Sequence, residues 1–315
     1  MPIVVTDLTY TYSRKTAYEK TALRDVNLRI EEGTCVGIIG HTGSGKSTFI
    51  QHLNGLIMPQ QGSVEVLDVI LTPAKRPKPD LRKLRGNVGM VFQYPEYQLF
   101  AETVEKDVAF GPHNLGLSEE EIRTRVRDAL TMVGLDYEQV KDRAPFDLSG
   151  GQKRRVAIAG ILAMRPKVLI LDEPSAGLDP LGKEQILSLI AKLKRECSPT
   201  VIVISHDIDE IVRIADRLVV FNDSRVLFDE PLTQLFTHEK ELQAAGLDIP
   251  RAVKVAQALR AQGIELDGDI IHDGDLLAAI LRRYNQKYHA NIDVDAAVER
   301  ARRVGIGKVQ EYGQE

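Results

Sequence analysis

The sequence has few cysteines, no excess of basic residues and no long hydrophobic run. Only two of its 315 residues are cysteines, Cys35 and Cys197, which excludes a disulfide framework and is typical of small buried side chains in a reducing compartment. The formal net charge of −4 argues against nucleic-acid binding through bulk charge. No apolar run approaches the ~18 residues of a membrane span, and the N-terminus lacks the pattern of a signal peptide. We therefore expect this chain to reach a membrane only through a partner.

The sequence does contain a regular alternation of short apolar runs and helical periodicity. Strands are predicted at residues 3–5, 26–30, 34–39, 64–69, 88–92, 168–171, 200–205 and 217–221. Helices are predicted from about residue 46, at 182–196 and at 207–215, and a block rich in helical periodicity covers about residues 103–164. This alternation predicts an α/β fold with a mainly parallel sheet covered on both faces, into which the helical block is inserted as a subdomain.

The composition changes near Glu230. Residues 1–230 are predicted to form the main domain, and residues 231–315 a separate C-terminal helical extension with helices near 276–281 and 296–304. The extension mixes charges of both signs with alanine and leucine, which fits a solvated helical packing unit as well as a regulatory domain.

A glycine-rich segment fits the pattern G-x-x-x-x-G-K-[ST] between a predicted strand and a predicted helix. Its residues are Gly40, His41, Thr42, Gly43, Ser44, Gly45, Lys46, Ser47 and Thr48. Glycines let backbone N–H groups close around phosphates, and the following helix directs its N-terminus at the same anion. We expect Lys46 to contact the β- and γ-phosphates of ATP and Ser47 to offer its hydroxyl to Mg²⁺. The alternative is a chance glycine-rich turn, which the flanking strand and helix disfavour.

Two carboxylates follow the apolar run at residues 168–171. Asp172 is expected at the carboxyl end of a buried strand, beside the phosphate loop, where it can organise Mg²⁺. Glu173 is expected to polarise the attacking water. The alternative is that the two acidic residues cap a helix that starts at Pro174.

A second anion site is predicted ahead of a helix, at Leu148, Ser149, Gly150, Gly151 and Gln152. Ser149 can cap the helix, while the glycines expose N–H groups to which the helix dipole adds positive potential. Because the helical block separates this turn from Lys46, we expect it to meet the γ-phosphate of ATP bound to a second subunit across a two-fold interface. The alternative is an ordinary helix cap.

At these residues the chain resembles the ABC ATPase family, over about residues 1–230. The resemblance implies a P-loop NTPase fold with a parallel core sheet, an antiparallel β subdomain and an inserted helical subdomain, and it implies ATP hydrolysis. Gln93 matches the glutamine that contacts Mg²⁺ and water and links to the membrane partner. His206 matches the switch histidine that touches the γ-phosphate, although a lone histidine after a strand is more often a satisfied polar residue.

The same resemblance implies two further contacts. Gly177, Leu178 and Asp179 match the segment that crosses the dimer interface. Tyr12 matches the aromatic residue that stacks on adenine, with Tyr10 and Tyr18 as competing candidates.

Two segments resemble one group within this family, the energy-coupling factor transporter ATPases, which also includes cobalt-type importers. The segments are residues 93–100 and 103–112. Residues 176–179 resemble the second of the two paralogous ATPases of that group. The resemblance implies a heterodimer with the other ATPase, a transmembrane coupling subunit that docks in the region after Gln93, and a substrate-binding membrane subunit. It places the chain peripherally on the cytoplasmic face of the membrane, powering uptake of a vitamin or transition-metal ion. It also implies that the extension after residue 230 helps to hold the dimer together.

Two alternatives remain open. One is an ATPase of another ABC importer type, which shares the same core. The other is a soluble ABC ATPase that handles DNA or ribosomes. Such proteins carry long coiled-coil insertions, zinc-binding inserts or tandem ATPase domains, and the sequence shows none of these features. We therefore expect no nucleic-acid partner.

Overall fold

The computed structural model describes residues 2–73, 79–197 and 200–301. Within these ranges the strands are β1 (Ile3–Tyr12), β2 (Lys20–Ile30), β3 (Cys35–Ile39), β4 (Gln61–Val66), β5 (Val69–Leu71), β6 (Val88–Val91), β7 (Val168–Asp172), β8 (Thr200–Ile204), β9 (Arg217–Asn222) and β10 (Arg225–Pro231). The helices are α1 (Lys46–Leu53), α2 (Leu81–Asn87), α3 (Val104–Leu115), α4 (Glu119–Met132), α5 (Tyr137–Val140), α6 (Gly150–Leu162), α7 (Pro180–Cys197), α8 (Ile208–Ile211), α9 (Leu232–Leu235), α10 (Glu239–Ala244), α11 (Arg251–Ala261) and α12 (Asp273–Tyr288).

The larger sheet has the order β10-β9-β3-β8-β7-β6, and all its neighbours are parallel except the β9–β10 pair. The predicted mainly parallel core sheet is therefore confirmed. Its central strands are buried on both faces, so alternate residues enter different cores. In β7, for example, Leu169 and Leu171 pack towards the helical block, whereas Val168 and Ile170 pack towards α1 and the smaller sheet.

The smaller sheet is antiparallel, with the order β2-β1-β4-β5. The prediction of one edge strand at 64–69 is wrong, because the chain reverses at Leu67, where φ is 58°. The reversal splits that run into a hairpin, in which β4 is an inner strand and β5 lies at the edge. The strands β1 and β2 extend well beyond the apolar runs that predicted them, since their solvent-facing positions are polar.

The helical block consists of α3 to α6, which share one core with the helical face of the larger sheet. Each of these helices begins at a side chain that accepts a hydrogen bond from a backbone N–H of its first turn. The four capping residues are Thr103, Ser118, Asp136 and Ser149. The predicted helix at 207–215 is shorter in the structure, where the α-helix covers only Ile208–Ile211.

The chain after residue 230 is helical, but it begins with a strand end that the sequence did not predict. Strand β10 runs to Pro231 with alternating exposure, so it lacks the apolar run that marks the buried strands. The predicted helix at 276–281 lies within α12, and residues 294–301 are helical, whereas 302–304 lie outside the described residues. The division at residue 230 stays a prediction. No described helix is long and apolar enough to cross a bilayer.

Candidate nucleotide-binding and hydrolysis site

The loop between β3 and α1 has a backbone that only glycine permits at key points. Gly40, Gly43 and Gly45 have φ values of 151°, 84° and 113°, in a region that residues with a Cβ rarely adopt. A Cβ on Gly40 would lie 2.3 Å from the carbonyl oxygen of Phe221, and one on Gly45 would lie 2.4 Å from that of Ala22. The loop thus lies close against the backbones of β9 and β2, which constrain its shape.

Lys46 folds back over this loop. Its Nζ donates to the carbonyl oxygens of Gly40 at 2.6 Å and His41 at 3.0 Å. Burial lowers the pKa of Lys46, and the nearby carboxylates of Glu173 and Asp172 oppose that shift. The hydroxyl of Ser44 is fully buried, and no hydrogen-bond partner for it exists in the described part of the chain. A strained loop with a lysine and an unpaired hydroxyl fits a site that oxygen atoms of a phosphate ligand complete.

Three predicted catalytic or metal-binding side chains meet at the carboxyl ends of β7 and β8. Burial, together with the neighbouring Glu173, raises the pKa of Asp172 to about 6, and Lys46 opposes the shift. Glu173 has a left-handed backbone, with φ of 50°, and its N–H donates to the carbonyl of Ile204 at 3.0 Å. Its Oε2 lies 2.7 Å from Nδ1 of His206, which donates if the glutamate is ionised. The fold therefore holds Asp172 and Glu173 near the ammonium of Lys46, with His206 in contact with Glu173.

The donor set for Mg²⁺ is sparse. No cluster of three or more histidine, cysteine, aspartate or glutamate side chains that could hold a metal occurs in residues 2–73, 79–197 and 200–301. Asp172 is partly buried, whereas Ser47 and Gln93 are exposed. One carboxylate and a few neutral oxygens fit Mg²⁺ that keeps waters and is held mainly by substrate phosphates.

Tyr12 lies against the N-terminal half of α1, with its hydroxyl 3.3 Å from Oγ1 of Thr48. The Tyr10 ring meets it edge-on and packs on His52, while Tyr18 is 85% exposed. Of the three tyrosines considered for adenine stacking, Tyr12 is thus half-exposed and adjoins the phosphate loop. Lys20, which the sequence did not single out, pairs with Tyr12 across the β1–β2 ladder. Its Nζ is 3.6 Å from the point that a Cβ on Gly43 would occupy.

Ser149 caps α6 as predicted. Its hydroxyl accepts from the N–H of Gln152, and the Gln152 side chain accepts in return from the N–H of Ser149, which completes a capping box. Gly150 and Gly151 have no described heavy atom within 4 Å of an added Cβ, so this turn is open to a ligand or a partner. Leu148 is buried beneath it. Whether a second subunit meets this turn stays a prediction.

The remaining predicted residues lie on two loops. Gln93 is exposed just after β6. Gly177 has φ of 75°, Leu178 packs on the core of the helical block, and Oδ1 of Asp179 accepts from the N–H of Gly182 at 2.7 Å at the start of α7. The structure also shows a buried ion pair between Arg154 and Glu96 beneath these loops. The two residues are 58 positions apart, so no local spacing in the sequence predicts their pairing.

Comparison with known proteins gives consistent matches. The family model described as ABC transporter matches residues 23–176. The energy-coupling factor transporter ATP-binding protein EcfA2 of Clostridium acetobutylicum is 52% identical over 270 residues, which cover 86% of this chain and 93% of that protein. The EcfA2 of Clostridium perfringens is 50% identical over 281 residues, which cover 89% of this chain and 98% of that protein.

Two solved structures are similar at the level of the fold. One is cbiO1 of Clostridium perfringens, described as part of the ABC transporter complex cbiONQ. It is 38% identical with a TM-score of 0.67, and the match covers 82% of this chain and 98% of that one. The other is a dimeric ATP-binding cassette in a post-hydrolysis state with ADP and Pi. It is 33% identical with a TM-score of 0.64, and the match covers 73% of this chain and 98% of that one.

Proposed function

Because this chain belongs to the ABC transporter family, among the energy-coupling factor transporter ATP-binding proteins, we propose that it is the ATP-hydrolysing subunit of an importer for a vitamin or a transition-metal ion. The observation that carries this proposal is the meeting of Lys46, Asp172, Glu173 and His206 at one edge of the parallel sheet, beside a glycine-rich loop. ATP and Mg²⁺ are the ligands that this set of side chains suits.

Nucleotide binding follows from the loop. The N–H groups from Gly43 to Thr48 would surround the phosphates, Lys46 would leave the carbonyls of Gly40 and His41 to contact them, and Tyr12 would stack on adenine. Ser47, Gln93 and Asp172 would hold Mg²⁺, which neutralises phosphate charge. A bound cation would favour the ionised form of Asp172 and so lower its pKa.

Hydrolysis is assigned to Glu173. Its carboxylate would accept a hydrogen bond from a water molecule and orient that water towards the γ-phosphate. The 2.7 Å contact with His206 restricts the orientation of that carboxylate. We propose that His206 turns to the γ-phosphate once ATP is bound.

The turn at Ser149 would complete a second nucleotide site across a dimer interface. ABC cassettes form dimers, as the cassette solved with ADP and Pi illustrates. The open space around Gly150 and Gly151 supports close approach of a phosphate. The partner proposed here is the second, paralogous ATPase, with residues 177–179 at the same interface. The domain limits at residues 1–230 and 231–315, and a dimer-holding role for the extension, are part of this proposal.

A groove of about 620 Å³ beside the loop after Gln93 supports docking of a membrane subunit. Helices α2, α3 and α6 form its walls, and Phe100 and Phe110 lie in it 61% and 52% exposed, with their rings edge-on at 5.0 Å. Oδ2 of Asp107 accepts from the N–H groups of Phe100 and Ala101, which fixes the loop that carries the first ring. Such a groove suits a short amphipathic helix. A coupling subunit seated here would place the chain peripherally at the cytoplasmic membrane face, with a substrate-binding membrane subunit as the third partner.

The test is co-purification of the full chain from its own membranes in mild detergent. We expect a second ATPase and a small membrane protein to be retained, and the Phe110→Asp variant to lose the membrane protein while keeping the ATPase. Ile70→Asp, which places the same charge on an exposed apolar site of β5 outside the groove, is the matched control. Retention of the membrane protein by Phe110→Asp would contradict the docking site.

A further inference from the structure

Arg154, in the second turn of α6, is one of the most buried charged side chains described, with 2% exposure. Its Nε and Nη2 donate to the two carboxylate oxygens of Glu96, at 3.0 and 2.8 Å. Its Nη1 donates to the carbonyl oxygens of Pro174 at 3.1 Å and Ala176 at 2.8 Å. These four hydrogen bonds use most of the donors of a guanidinium group and satisfy a charge that burial would otherwise make costly.

The partners of Arg154 belong to two different loops of the site. Glu96 lies in the 3₁₀ turn Pro95–Gln98, which leads directly into the groove through Gln98 and Phe100. The two carbonyls belong to the 174–179 loop, which starts immediately after Glu173. Helix α6 itself begins at the Ser149 turn and lines the groove with Ala157 and Ile161. One guanidinium therefore joins the groove, the residues that follow the catalytic glutamate, and the helix that presents Ser149.

A second contact joins the same two loops. Tyr94 precedes the Pro95–Gln98 turn with φ of 55°, and Gly177 has φ of 75°. A Cβ on Gly177 would come within 3.1 Å of Cε1 of the Tyr94 ring. The absence of a side chain at Gly177 thus leaves room for the Tyr94 ring, so the two loops lie next to each other beside Arg154.

The charge state of the pair supports a rigid link. Burial by itself raises the pKa of Glu96, but hydrogen bonds from Arg154 and from the backbone outweigh burial and leave that pKa below its usual value. Glu96 is therefore ionised near neutral pH. A bidentate pair between a planar guanidinium and a carboxylate fixes both distance and orientation, which a lysine ammonium cannot do.

We propose that Arg154 is a positioning residue that makes the Pro95–Gln98 turn and the 174–179 loop move as one body when nucleotide binds. This inference rests on the proposed function insofar as the groove receives a membrane subunit. In that setting, the Arg154–Glu96 pair carries closure at the nucleotide to the membrane side. Loss of the bidentate Arg154–Glu96 pair would leave ATP binding intact, but the two loops would then respond to nucleotide separately.

The test is amide hydrogen exchange on the full chain carrying Glu173→Gln, with and without Mg-ATP. In this background we expect ATP to slow exchange in peptides 95–102 and 173–180 by about tenfold each. After addition of Arg154→Lys, the 173–180 peptide should still slow about tenfold, whereas slowing of the 95–102 peptide should fall to about twofold or less. A pair that only stabilises the fold would lower the Tm and speed exchange in both peptides, leaving their ATP responses equal.

Arg165→Lys is the matched control, because Arg165 forms an exposed pair with Asp128 at 2.9 Å on the same subdomain. It should leave both responses unchanged. Glu96→Gln keeps the size of the side chain and one of its two acceptor oxygens. It provides the same test of the pair if Arg154→Lys fails to fold. Equal ATP responses of the two peptides in whichever variant folds would overturn the proposal. The readout needs only Mg-ATP, so it is independent of the co-purification that tests the importer role.

Discussion

Two regions of the molecule are built in different ways. One is the edge proposed to bind nucleotide, formed by residues 40–48 and the carboxyl ends of β7 and β8, and here called the nucleotide edge. The other is the C-terminal extension after residue 230. At the nucleotide edge, glycines are fixed by neighbouring backbone, as at Gly45, and charged side chains converge from strand ends. In the extension, Gly263 and Gly268 have no described heavy atom within 4 Å of an added Cβ. The buried cluster between α11 and α12 is small and rich in alanine, with Ala252, Ala256 and Ala279 among its five residues. A constrained backbone requires particular residues at fixed positions, so it produces a recognisable sequence motif. Loose helical packing has no such requirement and produces none.

The two regions nevertheless touch near His206. The N–H and Nε of Arg251, at the start of α11, donate to the carboxylate of Asp209 at 2.9 Å each. Asp209 lies in α8, three positions after His206. The extension also shares an apolar cluster with α8 and β9 through Leu235, Leu242 and Ile249. The two regions are therefore packed against each other, and they differ in how tightly their own backbones are constrained.

The largest expected effect is on the chemistry of the nucleotide edge. Glu173→Gln should lower the ATP hydrolysis rate by about 100-fold or more, because the side chain no longer accepts a proton from water. ATP binding should remain, as measured by equilibrium titration with a fluorescent ATP analogue. The control is Glu184→Gln, a partly buried glutamate on α7 that pairs with Arg213. A Glu173→Gln variant that hydrolyses ATP at the parent rate would remove Glu173 from the mechanism.

The next effect compares glycines of the two regions directly. Gly45→Ala should destabilise the chain by about 3 kcal/mol or more, since both its φ of 113° and the 2.4 Å approach to Ala22 oppose a Cβ. Gly263→Ala, at φ of 78° in open space, should cost only about 1 kcal/mol. Urea unfolding of both variants gives the two values. Equal losses would mean that the loop is less constrained than its contacts indicate.

A pH effect follows from Asp172. Its folded pKa of about 6 lies above the ordinary 3.8, so the folded chain binds the proton more tightly than the unfolded chain does. The resulting stability is present below about pH 4 and is lost as pH rises through about 6. Asp172→Asn should therefore raise the unfolding free energy at pH 7.5 by about 2 kcal/mol, with little change at pH 4. Thermal unfolding without Mg²⁺ at both pH values measures this, and a variant less stable at pH 7.5 would refute it.

The smallest effect concerns the contact between the regions. Arg251→Ala should cost about 0.5 kcal/mol, because the Arg251 side chain is 74% exposed and solvent screens its pair with Asp209. Chemical denaturation quantifies this loss. A cost above about 2 kcal/mol would show that the extension depends on this pair more than an exposed ion pair allows.

These contrasts explain what the sequence could predict. Local patterns predict features that need particular residue types at fixed spacing. These features are the phosphate loop, the strand end at Asp172 and the helix cap at Ser149. The roles of Gln93, His206 and Tyr12 came only from resemblance, since single residues after strands carry no spacing signal. Strand β10 was missed because its burial alternates, and the hairpin at Leu67 was missed because a left-handed leucine is not a recognisable turn signal. The Arg154–Glu96 pair is a tertiary contact that no local pattern reveals.

The central claim is that the Ser149 turn completes a nucleotide site on another subunit. The most direct measurement is the distance from a spin label at Ser149→Cys to Mn²⁺ bound with ATP, in the Glu173→Gln chain together with its co-purified ATPase. We predict that Mn-ATP adds a short distance that is absent with Mn-ADP. A label that stays far from every bound Mn²⁺ under both conditions would contradict the claim.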